Sequence, residues 1–279
     1  MGELVEVERA AELVEGGTAT LLDCRFDLGD TEAGQAAYRK GHIPGARYAH
    51  LDRDLSDLTR RGEGRHPLPT AEQFFGTLGT WGITHDRPVI VYDDGVGAIA
   101  ARAWWLLRNA GHPDVRLLDG GLGAWQRANL PLATGTGDGP RSEDTWRWDG
   151  MPTIDSPALE DALRASSILL VDARAGERFT GQVEPLDRQA GHVPGAQNRP
   201  LQENCTAGGL FKSVELLRAE WGEVIAERSP RDIVHMCGSG VTACHNLLAM
   251  THAGWPGSIL YAPSWSGWIE DSQRPTATG

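Results

Sequence analysis

Short apolar runs alternate with longer amphipathic stretches along this chain, and the alternation predicts its elements. Val89-Ile90-Val91, Ser167-Ile168-Leu169-Leu170-Val171 and the pair Ile233-Val234 have the length and composition of buried strands. Helical patterns follow two of them, one from about Ala98 to Ala110 and one from about Thr242 to Ala253. Each helix stops at a glycine, Gly111 or Gly254, with proline two residues further on, a common way for helices to end. Strand and helix in alternation predict parallel strands with helices on both faces. Ligands of such folds bind beyond the carboxyl ends of the strands.

The pattern runs through twice. Leu21-Leu22-Asp23-Cys24-Arg25 answers Leu170-Val171-Asp172-Ala173-Arg174, and Gly41-His42-Ile43-Pro44-Gly45-Ala46 answers Gly191-His192-Val193-Pro194-Gly195-Ala196. Val91-Tyr92-Asp93-Asp94-Gly95-Val96-Gly97 answers Val234-His235-Met236-Cys237-Gly238-Ser239-Gly240. Ala110-Gly111-His112-Pro113 answers Ala253-Gly254-Trp255-Pro256, and the stretch ending Gly123-Ala124-Trp125 answers the one ending Ser266-Gly267-Trp268. The offsets stay between 143 and 150 throughout. The region from Pro131 to Met151, rich in Gly, Thr, Asp and Pro, reads as a connection. The predicted organisation is α/β: one domain over residues 1–135, a linker over 136–151 and a second domain over 152–279, each a mostly parallel sheet flanked by helices.

Charge narrows the function classes. With 26 basic against 38 acidic residues, the net charge of −12 argues against nucleic acid or an anionic membrane as a main partner. No apolar run approaches the length of a transmembrane helix, and the acidic start Met1-Gly2-Glu3-Leu4-Val5-Glu6 carries no visible signal peptide. The four cysteines, Cys24, Cys205, Cys237 and Cys244, show neither metal-type C-x2-C pairs nor a dense disulfide framework. The expected setting is a reducing cytoplasm, with no metal and no organic cofactor.

The chemistry concentrates in Cys237-Gly238-Ser239-Gly240-Val241-Thr242, a turn between a strand and a helix. Two glycines let successive N–H groups converge on one point, and the helix that follows contributes its positive end. Such a setting favours thiolate over thiol. The competing reading is a small buried hydrophobe, which is what most cysteines are. In the first half Asp94 stands where Cys237 stands, so that half has no nucleophile there. A carboxylate within a ring of amides mimics a bound anion; an ordinary turn-forming aspartate fits equally. Cys244, on the helix past the loop, reads as core. His42 and His192 recur in both halves and read as structural turn residues, and the ten tryptophans as packing.

Taken together these residues resemble the tandem rhodanese family of sulfurtransferases, over nearly the whole chain. The resemblance implies an inactive first domain and an active second one, in keeping with Asp94 against Cys237. Within the family, Cys-Gly-Ser-Gly-Val-Thr is similar to the 3-mercaptopyruvate sulfurtransferases, whereas thiosulfate-using members carry a basic residue where Gly238 stands. The loop itself holds no cation for a compact dianion such as thiosulfate. The resemblance further implies that Arg178 and Arg188 hold the carboxylate of mercaptopyruvate, the second match needing a one-residue insertion. It implies a relay of Ser239, His66 and Asp52, with Asp54 competing for the acid's place. The plainer alternatives are solvated surface arginines, a loop hydroxyl at Ser239 and a turn-capping His66.

The implied reaction takes sulfur from the donor onto Cys237 as a persulfide cradled by the amides of Gly238 to Thr242, then passes it to an acceptor, cyanide or a thiol such as reduced thioredoxin. Thiosulfate:cyanide transfer is the alternative activity, and a non-catalytic rhodanese-like binding module is a less favoured one. A cysteine phosphatase needs C-x5-R, and the sixth residue after Cys237 is Ala243.

Overall fold

In a computed structural model of the chain, residues 2–137, 139–148 and 150–279 are described. They divide into two compact units. The first comprises residues up to Asp57, Pro69–Gly150 and Ala207–Phe211; the second comprises Leu58–Leu68, Met151–Thr206 and Lys212–Gly279. The stretch read as a linker, apart from Asp138 and Asp149, which lie outside the described residues, runs along the first unit. Its Ser142 N–H bonds the Gly79 carbonyl and its Trp148 ring meets Phe74 and Phe75.

The first unit orders its elements as β1 (Leu4–Val5), α1 (Val7–Glu15), β2 (Thr20–Asp23), α2 (Ala33–Lys40), β3 (Arg47–Tyr48), α3 (Ala71–Trp81), β4 (Val89–Tyr92), α4 (Ala100–Asn109), β5 (Val115–Leu118) and α5 (Gly121–Arg127). Its sheet runs β1-β5-β4-β2-β3, every pair parallel. The second unit holds α6 (Ser156–Arg164), β6 (Leu169–Asp172), α7 (Gly176–Phe179), β7 (Gln197–Asn198), α8 (Val214–Ile225), β8 (Ile233–Met236), α9 (Ala243–His252), β9 (Ile259–Leu260) and α10 (Ser264–Trp268). Its sheet, β7-β6-β8-β9, repeats the same parallel order. The counterpart of β1 shrinks to a single parallel bridge between Thr153 and Leu260.

The central strands β2, β4 and β8 are buried at every position, as a parallel sheet covered on both faces requires. α4 and α9 end before Gly111 (φ +84°) and Gly254 (φ +82°), the left-handed residues foreseen from the sequence.

At the carboxyl end of each sheet a buried aspartate–arginine pair explains the repeated Asp-x-Arg motif. Arg174 Nη2 donates to Asp172 Oδ2 at 2.7 Å and to the Gly191 carbonyl at 2.8 Å. Arg25 does the same with Asp23 and the Gly41 carbonyl, at 2.6 and 2.7 Å. The adjoining histidines are structural, as expected. His42 Nδ1 bonds the Tyr38 carbonyl and stacks on that ring, while His192 Nδ1 bonds the Phe179 carbonyl and stacks on Phe179.

The two halves differ by one residue where strand turns into loop. Tyr92 pairs with Asp23 and Met236 with Asp172, so Asp93, and not Asp94, occupies the place of Cys237. Asp94 is exposed. The Asp93 carboxylate accepts the N–H groups of Gly95 and Gly97 on Oδ1 and of Ile99 and Ala100 on Oδ2, at 2.9–3.2 Å. Burial pushes this carboxyl up and the four amides pull it back, leaving it above its ordinary value. The anion-mimicking role belongs to the neighbour of the residue first read for it; the first loop is one residue longer, which shifted the match.

Removing the Asp93 carboxylate strands four amide donors in the interior. Asp93→Ala is expected to lower stability by about 2–4 kcal/mol in urea unfolding. Sulfate should recover more thermal stability in the variant than in the wild type, because it can refill the cradle. A loss below about 0.5 kcal/mol would show that these four bonds contribute little.

Candidate active site

Cys237 follows β8 directly, at the centre of the sheet of the second unit, and is 1% exposed. Its sulfur receives the Gly240 N–H at 3.1 Å. Its own N–H donates to Ser264 Oγ at 3.0 Å, and Ser264 in turn donates to the Tyr261 carbonyl. The carbonyls of Cys237 and Gly238 accept the N–H groups of Trp265 and Ser266, which fixes the loop against the start of α10.

Gly240 has φ +76°, and a Cβ there would fall 2.2 Å from the Ala262 carbonyl oxygen, so only glycine closes the turn. Val241 is buried and Thr242 stands immediately before α9, a ten-residue helix that begins six residues after Cys237. Asp93 shows what such a loop accepts in the homologous position: a buried anion held by four amides.

Sequence reasoning passed over Ser264. It sits at φ +54°, a left-handed conformation that costs a non-glycine residue about 1 kcal/mol or more. Its first-half counterpart is Gly121, also at φ +54°. The hydroxyl that anchors the Cys237 N–H is the physical reason for serine at a glycine position. The signal was present in Ser264-Trp265-Ser266-Gly267-Trp268 but carried no chemistry on its own.

Ser239 and His66 do meet. Ser239 Oγ and His66 Nδ1 are 2.8 Å apart and both residues are buried. His66 reaches the loop because Leu58–Leu68 belongs to the second unit. Gly64, at φ +86°, brings its backbone close to the Pro263 carbonyl, and the Arg65 N–H donates to Ser266 Oγ at 3.0 Å. Asp52 lies in the first unit, where its N–H donates to His50 Nδ1 at 3.1 Å and burial raises its carboxyl. The rival Asp54 has one carboxylate oxygen committed to the His50 N–H at 2.7 Å.

Two guanidinium groups flank the loop. A Cβ placed on Gly238 would meet Arg65 Nη2 at 3.2 Å and Arg178 Nη1 at 3.4 Å. Arg178 Nη2 bonds both oxygens of Glu184, at 2.7 and 3.0 Å, and reaches Asp187 Oδ2 at 3.2 Å. Arg65 Nη1 makes a short bond to the other oxygen of Asp187. Burial raises the Glu184 carboxyl, but Arg178 and the N–H groups of Leu186 and Asp187 outweigh it and hold it below its ordinary value. Each arginine keeps a buried Nε–H without a partner among the described residues.

Arg188, the second arginine expected there, is exposed, and its guanidinium donates to the Ile269 carbonyl. Arg65 was not foreseen, although it precedes His66 directly. The loop sequence contains no cation, but the fold surrounds it with two, so the absence of charge in residues 237–242 does not argue against thiosulfate. Cys244 is buried, with its Sγ 3.4 Å from the Gly240 carbonyl, in keeping with a core position. No group of three His, Cys, Asp or Glu side chains suited to a metal occurs among the described residues.

Known proteins resemble this chain over most of its length. The model of the rhodanese-like domain matches residues 6–128 and again 156–271. A Pseudomonas aeruginosa protein named as a probable 3-mercaptopyruvate sulfurtransferase is 44% identical over 279 residues, covering 99% of this chain and 98% of its own. SseB of Mycobacterium tuberculosis, which bears the name "Putative thiosulfate sulfurtransferase", is 39% identical over 277 residues, covering 99% of this chain and 96% of its own. The crystal structure of SseA from Escherichia coli, described among 3-mercaptopyruvate sulfotransferases, superposes with a TM-score of 0.82 at 33% identity, over 95% of this chain and 100% of that one. With two matched copies that span most of its length, the chain belongs to the rhodanese family of sulfurtransferases.

Proposed function

We propose that the protein moves a sulfane sulfur from 3-mercaptopyruvate through a persulfide on Cys237 to a thiol or cyanide acceptor. The observation that carries this reading is the buried Cys237 sulfur, bonded by the Gly240 N–H, beside a pair of guanidiniums that two buried carboxylates hold in place. The Cys237 thiolate attacks the donor sulfur. The Sγ–S bond forms as the S–CH2 bond breaks, the electron pair leaves on the enolate of pyruvate, and the donor's thiol proton stays on the transferred sulfur. Ser239, bonded to His66, is suited to protonate the enolate. The persulfide, Cys237-S-SH, rests among the amides of Gly238 to Thr242 and turns anionic there only by giving its proton to solvent. The acceptor, reduced thioredoxin or a small thiol in a reducing cytoplasm, then removes the outer sulfur.

Arg65 and Arg178 suit the single carboxylate of mercaptopyruvate through bidentate donation. The same pair would also suit thiosulfate, and this favours some activity with that donor as the second reading.

Cys237→Ser is expected to abolish transfer without unfolding the protein, and Cys244→Ser to retain most activity. Mass spectrometry after donor addition should find one added sulfur on Cys237; a fully active Cys237→Ser protein rules the mechanism out. Arg65→Ala and Arg178→Ala should each lower kcat/KM for mercaptopyruvate by about one to two orders of magnitude. Arg188→Ala should cost less than either, given its bond to the Ile269 carbonyl. Equal losses with thiosulfate and mercaptopyruvate would mean that the pair provides general field rather than carboxylate recognition. Ser239→Ala should slow mercaptopyruvate turnover about a hundredfold, near the lower end of what a proton-transfer group supplies. Thiosulfate turnover, whose sulfite leaves without a proton, should fall much less.

A further inference from the structure

We infer that a cleft on the segment Leu58–Leu68, beside the cysteine loop, is an acceptor-side subsite for a small thiol that carries carboxylates. The inference rests on the sulfur-transfer reading above and concerns its second step. The cleft has a volume of about 430 Å3 and is lined by Arg60, Arg61 and Arg65 together with Glu270. Two of the three arginines are already paired, Arg60 with Glu63 and Arg65 with Asp187, which leaves Arg61 as the cation of this lining without an ion pair among the described residues. An unpaired guanidinium in a cleft is a partner for an anionic group.

The cleft is built rather than incidental. Gly62 and Gly64 take φ +79° and +86°, and Gly64 packs against the Pro263 carbonyl so closely that a Cβ would fall 2.4 Å from it. Arg60 is fixed by Glu63 at 2.8 Å and by the Leu68 carbonyl at 3.3 Å. Arg61 makes no ion pair among the described residues, so its guanidinium is the one on this wall left to bind. Arg65 lines the cleft and also lies against Gly238, so one side chain borders both the cleft and the loop that would carry the persulfide.

Donor and acceptor therefore divide the arginines. Arg178 and the inner face of Arg65 take the donor's carboxylate, and Arg61, with Arg60 behind it, holds the acceptor's. In the transfer step the acceptor thiolate forms a bond to the outer sulfur. The Cys237 Sγ–S bond breaks with its electron pair returning to Cys237, and the proton stays on the outer sulfur. A thiol becomes a persulfide and the enzyme a thiolate, with no external oxidant or reductant.

The test compares mercaptosuccinate with 2-mercaptoethanol as acceptors for wild type, Arg61→Ala, Arg61→Lys and Arg61→Glu, with Cys237 persulfide formation by mercaptopyruvate measured separately in single turnover. Arg61→Ala should raise KM for mercaptosuccinate about tenfold and Arg61→Glu further, while Arg61→Lys recovers part of the loss. KM for 2-mercaptoethanol and the rate of persulfide formation should stay within twofold. Equal effects on both acceptors, or none on mercaptosuccinate, would overturn the subsite. Absence of persulfide in the wild-type protein would instead defeat the sulfur-transfer reading beneath it.

Discussion

A buried aspartate–arginine pair, made twice, holds the working end of each sheet together. Asp172 and Arg174 are both almost fully buried, so breaking the pair leaves an uncompensated charge at a cost of about 3–5 kcal/mol. The arginine does more than neutralise its partner. It bonds the Gly191 carbonyl, lies over the Trp265 ring and approaches Glu184 at 3.5 Å. One guanidinium thus ties strand, turn, helix and the loop after α7 to a common point. Glu184 then fixes Arg178, and α10, which Trp265 helps seat, anchors the loop of Cys237.

The first unit preserves this frame without its chemistry. Its Asp23–Arg25 pair binds the Gly41 turn as Asp172–Arg174 binds the Gly191 turn. In place of a thiol it carries a carboxylate saturated by four amides. The loop's N–H groups hold a carboxylate of the chain in one half and, in the proposed reaction, a transferred sulfur in the other. Which use prevails depends on whether the anion is supplied by the chain or from outside.

Much of this was legible because the information is local. Glycines at helix ends, period-matched apolar runs and the recurrence of Asp-x-Arg and Gly-His-x-Pro-Gly set the architecture and the site's centre. Ser239 and His66 came from resemblance, and the structure brings them together. What the sequence hid depends on distant segments or on counting through a loop. Arg65 joins Arg178 only because Leu58–Leu68 packs with residues some two hundred positions later, as its bond to Ser266 records. Asp93 was displaced to Asp94 because the repeats align by glycines on one side of the loop and by strand register on the other. Those two alignments differ by one residue. Ser264 was hidden for a different reason: a strained backbone angle leaves no mark in composition.

The depth of Cys237 has a consequence for what the protein displays to its surroundings. At 1% exposure the resting sulfur is almost withdrawn from solvent. In the proposed reaction the added sulfur lengthens this side chain by one covalent bond. On that reading the unloaded cysteine is the more concealed form and the persulfide the more exposed one. Bulky electrophiles in the surrounding medium meet little of the cysteine itself, while a waiting thiol meets the cargo first. Burial would then act as a filter in time, leaving the site accessible chiefly when it has something to deliver.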